Sequence, residues 1–333
     1  MAAPIWLHHP ASLAHDVPNH PERPARIVGL ERAMDAHDWF GWERVESPVA
    51  THAQLQLVHP ASHVEFIEAP CAAGGGHIDM DTAAVAATYD AACRAAGGAI
   101  TLVDRLLSGD APTGFSAHRP PGHHAETARA MGFCFFNNVA VAAAHARAAH
   151  GIERVLVFDW DVHHGNGTEQ IFYGSDAVLF VSVHQSPLYP GTGMARDRGT
   201  GAGEGYTVNL PVPPGTGDDA YRSLVEHVLL PLARAYEPGL VLVSAGFDAH
   251  RDDPLASCRV SEGGFADMTA AQRRVTAELE VPLGFVLEGG YSVEALADSV
   301  CALLPVLTKA DVPAAVEVAR HPLADRVRLP TWA

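Results

Sequence analysis

Lysine is almost missing from this chain of 333 residues: a single one, Lys309, stands among many arginines and alanines. That bias suggests a GC-rich bacterial genome and says little about mechanism. Positive charge is short overall, because 39 acidic residues face 22 lysines and arginines and leave a formal net charge of −17. The balance argues against a surface that tracks nucleic acid, and an acidic surface instead attracts cationic substrates by long-range steering. The five cysteines (Cys71, Cys93, Cys134, Cys258, Cys301) are scattered, odd in number and never in C-x-x-C spacing. Neither a disulfide framework nor a cysteine zinc site is indicated, and a reducing compartment is. No uninterrupted apolar run of about 18 residues occurs. The opening MAAPIWLHHPASLAHD also lacks a basic segment followed by a sustained apolar one. The expectation is a cytoplasmic protein with no membrane and no direct nucleic-acid partner.

What is present is hydrophobic material in alternating blocks. Apolar residues make up 48% of the chain, enough for a substantial core. RIVGLERAMDAH from Arg26 and TAAVAATYDAACRAAGGAITLVDRLL from Thr82 have helical spacing with small-residue faces. Further helical patterns start at Asn138, Asp218, Ser261 and Ser292. Between them lie short β-branched runs: TGFSAH (113–118), RVLVFDWD (154–161), AVLFVSVH (177–184), LVLVSAGFD (240–248) and LGFVLEGGY (283–291). Runs of this kind, without polar alternation, fit strands of a parallel sheet covered by helices on both faces, so the fold class is α/β. APCAAGGGHIDMD and HQSPLYPGTGMARDRGTGAGEGY read as long loops within one domain, without repeats or linkers. GAGEGY at 201–206 lacks the Lys-Ser/Thr of a phosphate loop.

The strand endings carry the chemistry. In open α/β sheets ligands collect beyond the carboxyl ends of strands, and here those ends read SAHRPPGHH, DWDVHHGNG, SVHQ, AGFDAHRDDP and LEGGY. Asp161 and His163, two apart in an extended strand end, point the same way, and Asp248 at the end of another strand supplies a third ligand. Two carboxylates and an imidazole with room for water make the open set of a catalytic zinc. Blander readings exist for each motif alone: a satisfied Asp-x-His pair, a turn with two exposed histidines at 123 and 124, a packing tyrosine at 291. Their company argues against those readings. His145, His150, His184 and His227 are read as solvated or hydrogen-bonded structural residues rather than ligands.

Taken in order, RPPGHHA, MGFCFFNNVAVAA, DWDVHHGNGTEQIFY, VSVHQSPLYPGTG, AGFDAHRDDPL and LEGGYS resemble the zinc-dependent histone deacetylases of the class II type, bacterial homologues included. The likeness runs from HPERPARI at residue 20 to the helix after Tyr291. It implies an arginase-like α/β fold with a central parallel sheet of eight strands. It also implies a single deacetylase domain over 1–333, with a catalytic core at 20–308 and a tail at 309–333.

The resemblance further implies one Zn²⁺ on Asp161, His163 and Asp248. His124 is the better general base and then acid, with His123 stabilising charge. Asp159 would orient His123, and Asn166 would stand behind His124. Tyr291 would donate to the oxyanion. Gly132, Phe133 and Tyr189 would wall an acyl-lysine channel, Leu255 would stand at its rim, and Arg23 would line an internal cavity for acetate release. Potassium is implied at Asp159, Asp161, His163, Ser182 and Val183, with a more distant site near Phe172, Ser175, Val178 and Tyr206.

Arginase carries a second metal through an Asp-x-His-x-Asp run. The fifth position here is Gly165, which favours one metal over two, although His250 is a candidate for a second site. The expected activity is removal of acetyl or related acyl groups from lysine side chains of proteins or peptides. A small cationic amide such as an acetylated polyamine is the alternative substrate, and an inactive acyl-lysine-binding module the alternative class. The resemblance leaves the oligomeric state open.

Overall fold

The computed structural model describes residues 2–309 and 311–333; Met1 and Ala310, which fall within the expected domain 1–333 and tail 309–333, lie outside the described residues. Eight of the described strands form one sheet: β1 (Ile5–His8), β2 (Glu43–Glu46), β3 (Thr113–Ser116), β4 (Val155–Asp159), β5 (Val178–Gln185), β6 (Thr207–Val212), β7 (Leu240–Ala245) and β8 (Leu283–Leu287). Their spatial order is β2-β1-β3-β8-β7-β4-β5-β6. Every neighbouring pair is parallel, as the unbroken apolar runs require.

Alternation along each strand divides the core between the two faces of the sheet. In β4, Leu156 and Phe158 join Trp6, Phe115 and Phe285 on one face, which also takes Ile27, Phe265 and Leu296 from the helices Ala25–Ala36, Glu262–Leu279 and Val293–Thr308. Val155 and Val157 join the other face with Leu102, Val103, Val139 and Ala142, from the helices Thr88–Leu107 and Asn138–His150. Asn137, Ser261 and Ser292 start their helices by accepting backbone N–H bonds three residues on.

Three readings from sequence need correction. The pattern from Thr82 begins as a strand, Ala83–Val85, paired antiparallel with Gly75–His77, and the helix starts only at Thr88. The first residues of the supposed loop APCAAGGGHIDMD belong to the helix Ala61–Ala72. Five strands are legible in the apolar runs, whereas the sheet also contains β1, β2 and β6. Glu43–Glu46 is mostly exposed and has no apolar run, and β6 carries Pro211. Both lie at sheet edges, where such residues are tolerated. Among the described residues no helix is long and apolar enough to cross a membrane.

The carboxyl ends of β3, β8, β7 and β4 lie side by side at the centre of the sheet. This is where strand order stops following sequence order, the kind of place at which open α/β sheets bind ligands.

Candidate active site

Asp161, His163 and Asp248 are brought together with their candidate ligand atoms all within 4.8 Å of one another. Strand alternation is not the cause, since β4 ends at Asp159 and β7 at Ala245. The segments beyond them turn, and the carboxylates hold the turns. Asp159 Oδ1 accepts from the Asp161 N–H at 3.1 Å, Asp161 Oδ1 from the His163 N–H at 2.9 Å, and Asp248 Oδ1 from the Val162 N–H at 2.8 Å. Gly289 N–H donates to Asp161 Oδ2 at 2.8 Å. A Cβ at position 289 would stand 2.1 Å from Asp248 Oδ2, so the glycine is a matter of space.

His163 Nδ1 lies 3.1 Å from both Asp161 Oδ1 and Asp248 Oδ2. Burial opposes charge on this ring, but the Asp248 and Asp161 carboxylates outweigh it and raise the pKa to about 10. Burial, then the Asp161 charge, push Asp248 up to about 7. Two fully buried carboxylates beside one imidazole are poorly matched as anions unless a cation sits among them. The donor set therefore fits a divalent metal.

Two histidines from the loop after β3 stand over this cluster with ring centroids 4.0 Å apart. They have unlike partners. His123 Nδ1 is 2.9 Å from Asp159 Oδ2, and His124 Nδ1 is 2.8 Å from Asn166 Oδ1. Burial lowers both pKa values, yet Asp161 and Asp159 more than offset it at His123, whose pKa lies well above the ordinary histidine value. At His124 burial is reinforced by the positive charges on His123 and His163, and the pKa lies well below it. The surroundings thus shift the two neighbouring imidazoles in opposite directions. Gly165 has no room for a side chain, because a Cβ there would meet Asp159 Oδ2 at 2.2 Å. An aspartate at that position would collide with the His123–Asp159 pair.

Beyond the cluster, Glu288 Oε2 accepts from the Gly122 and His123 N–H groups at 2.7 and 3.1 Å, and Ser244 Oγ donates to Oε1 at 2.8 Å. Asp253 Oδ2 accepts from the Tyr291 N–H at 2.7 Å and fixes where that residue leaves β8. Burial keeps the Tyr291 phenol protonated, with its pKa well above 10. The Phe133 and Tyr291 rings meet edge to face at 5.8 Å, and the Tyr189 ring stands over His124 at 5.2 Å. Gly132 has φ +58°, and a Cβ on it would come within 2.4 Å of His124 Cδ2. Tyr189 and Leu255 are 37% and 36% exposed.

Arg23 does not line an interior. It is exposed, on an open cleft shared with Asp16, His20 and Tyr291. Three residues on, Arg26 is fully buried, in the first turn of Ala25–Ala36. Its guanidinium lies 5.1 Å from the Tyr291 ring centroid and donates to Gly290 O at 2.6 Å, Glu288 O at 2.5 Å and Glu22 Oε1 at 2.9 Å. Glu22 also binds Arg119, at 2.7 Å through Oε2.

Of the residues expected near potassium, Ser182 pairs in register with Asp159 across β4 and β5, and its Oγ bonds His184 Nδ1 at 2.9 Å. Val183 is the next residue of β5. Phe172 O accepts from Ser175 N–H at 2.9 Å, Tyr206 O accepts from Phe180 N–H at 2.9 Å, and Val178 opens β5. His250 lies away from the cluster, 3.3 Å from Glu262.

Residues 20–307 match the histone deacetylase domain family. The chain belongs to that family. It is 41% identical over 294 residues to a probable deacetylase of Archaeoglobus fulgidus, covering 86% of this chain and 80% of that one. It is 40% identical over 331 residues to a histone deacetylase-like amidohydrolase of Pseudomonas aeruginosa, covering 97% and 83%. The crystal structure of the HDA15 HD domain superposes with a TM-score of 0.86 at 38% identity, over 91% of this chain and 90% of that one. Membership supports hydrolase activity and agrees with the parallel eight-stranded sheet.

Proposed function

We propose that the chain is a zinc-dependent deacylase that removes acetyl or related acyl groups from lysine side chains by attack of water. The observation that carries this reading is the unlike pair of histidines, His123 on a carboxylate and His124 on a neutral amide, above one buried cluster of two carboxylates and an imidazole. Asp161, His163 and Asp248 would hold the ion, three donors leaving a position open. When bound, zinc supplies Lewis acidity toward an acyl oxygen and lowers the pKa of a water.

The rest is the work of the chain's own side chains. Asn166 Oδ1 can only accept, so His124 carries its proton on Nδ1 and offers a lone pair at Nε2. As a neutral ring it takes a proton from water there and returns it to the departing amine nitrogen. His123, charged, stabilises the negative charge that develops. The Tyr291 hydroxyl donates to the acyl oxygen as it becomes an oxyanion. Gly132, Phe133 and Tyr189 enclose the aliphatic stem, and Leu255 meets what lies outside. Potassium at the two sets of positions named above belongs to this same reading.

A side-by-side assay of an acetyl-lysine peptide and an acetylated polyamine, with and without a chelator, tests it. Turnover that chelation abolishes and zinc restores supports the reading, and the ratio of the two kcat/KM values assigns the substrate class. Turnover of neither amide by zinc-loaded protein would leave only an acyl-lysine-binding module.

A further inference from the structure

Two histidines and an aspartate also converge where the helices Thr88–Leu107 and Asn138–His150 end. We propose that Asp104, His145 and His150 form a second site for one divalent transition-metal ion of the zinc type, independent of the deacylase centre. The sequence alone marks His145 and His150 as structural. The fold gives them a shared partner: Asp104 Oδ1 lies 2.8 Å from His145 Nε2 and 2.7 Å from His150 Nε2. The two rings meet edge to face at 5.6 Å. All three candidate ligand atoms lie within 4.8 Å of one another, as in the buried cluster.

The donor chemistry suits a borderline cation. Two imidazoles and a carboxylate favour zinc, nickel or copper over magnesium or calcium, and leave coordination positions for water. Binding needs both Nε2 lone pairs, hence the tautomer with the proton on Nδ1. A carboxylate oxygen only accepts, so without an ion both Nε2 atoms donate to Asp104; an ion takes the place of those two hydrogen bonds, and the proton moves to Nδ1, which has no hydrogen-bond partner among the described residues.

The backbone contributes as well. Asp104 lies in the last turn of Thr88–Leu107, and His150 is the final residue of Asn138–His150, closed by Gly151 in the left-handed conformation. Two helix C-termini, each with partial negative charge, therefore approach the same point, and a cation there is favoured by both dipoles. The side chains of His145, His150 and Asp104 are 12%, 27% and 46% exposed, so the site is sheltered yet open to ions from solvent. An ion bound there would tie together the ends of the two helices that cover one face of the sheet.

The test compares the intact parent with His150→Ala and, separately, Asp104→Asn. Each protein is incubated with excess ZnCl₂, desalted and assayed for zinc by mass spectrometry, and its thermal midpoint is measured with and without added Zn²⁺. A far-UV circular dichroism spectrum and a cooperative melting transition like the parent's show that a variant is folded. The expected result is one zinc equivalent fewer in each variant than in the parent. The parent should also show a zinc-dependent rise in midpoint of several degrees that both variants lose, since an ion that binds only the folded state stabilises it by mass action. Equal zinc content in parent and variants, or an unchanged midpoint shift in both, overturns the proposal. The readout is a difference between proteins that share the Asp161 cluster, so it stands whatever becomes of the deacylase assignment.

Discussion

The Asn166 amide meets His124 in only one orientation: its Oδ1 accepts from His124 Nδ1 at 2.8 Å, while its Nδ2 donates to Glu126 Oε1 at 2.9 Å. A neutral group orients the ring without holding a proton on it. Asn166→Asp would place a carboxylate there, and Glu126 beside it would add to the negative potential. Both favour the imidazolium and raise the His124 pKa from its depressed value. A base must be deprotonated to work, so the acidic limb of kcat/KM should move to higher pH, by about one unit for a close buried pair. The profile is measured on one acetyl-lysine peptide at saturating zinc. An unmoved or downward-shifted limb removes His124 from the role of titrating base.

Asp248→Ala should strip the protein of most of its tightly held zinc at the deacylase centre and nearly all turnover. The variant loses one of three donors and leaves Asp161 and His163 with a single carboxylate between them. Metal analysis after desalting checks it. Full zinc content with a normal rate would take Asp248 out of the site.

Tyr291→Phe keeps the ring that packs edge to face on Phe133 and deletes only the hydroxyl. If that hydroxyl acts on the transition state, kcat and kcat/KM fall together by about a hundredfold or more, with zinc content unchanged. A packing residue would tolerate the change, and a near-parental kcat would show that it is one.

Gly132→Ala adds one methyl group that must lie against the His124 ring, at a backbone conformation that alanine adopts with strain. Displacing a reacting group by about 1 Å costs on the order of a hundredfold in rate. The variant should fold, bind zinc and turn over poorly. Parental activity would show that the His124 ring has slack that its hydrogen bond does not suggest.

Arg26 and Arg23 lie three residues apart and should behave oppositely. Arg26→Ala leaves two backbone carbonyls and part of Glu22 without a donor in a fully buried place, which costs about 3–5 kcal/mol. Arg23→Ala, at the exposed position, should change stability by less than about 0.5 kcal/mol. Urea denaturation of both variants decides it, and equal losses would contradict the burial difference.

Residues 23 and 26 also show where sequence reading stops. Both sit in HPERPAR, and the choice between them depends on the phase of a helix whose start, at Ala25, no capping side chain marks. The central strands β4, β5, β7 and β8 and the Asp161, His163 and Asp248 set were legible because apolar runs ended in clustered polar residues. The edge strand Glu43–Glu46 had no such run to read. Glu288 and Asp253, inside the quoted motifs LEGGY and AGFDAHRDDP, were passed over because their partners are backbone N–H groups of Gly122, His123 and Tyr291, brought near by pairings between distant strands. Residue type betrays a ligand more readily than it betrays an acceptor of main-chain hydrogen bonds.

The order β3-β8-β7-β4 also has a temporal meaning. During synthesis the strands that carry His123 and Asp161 emerge long before the two that separate them in the finished sheet. A chain that has reached Val212 contains β1 to β6 but not the two strands that stand between β3 and β4 in the finished sheet. β7 and β8 bring Asp248 and Tyr291 to the middle of the sheet, so a chain that stops before residue 240 lacks both of these site residues.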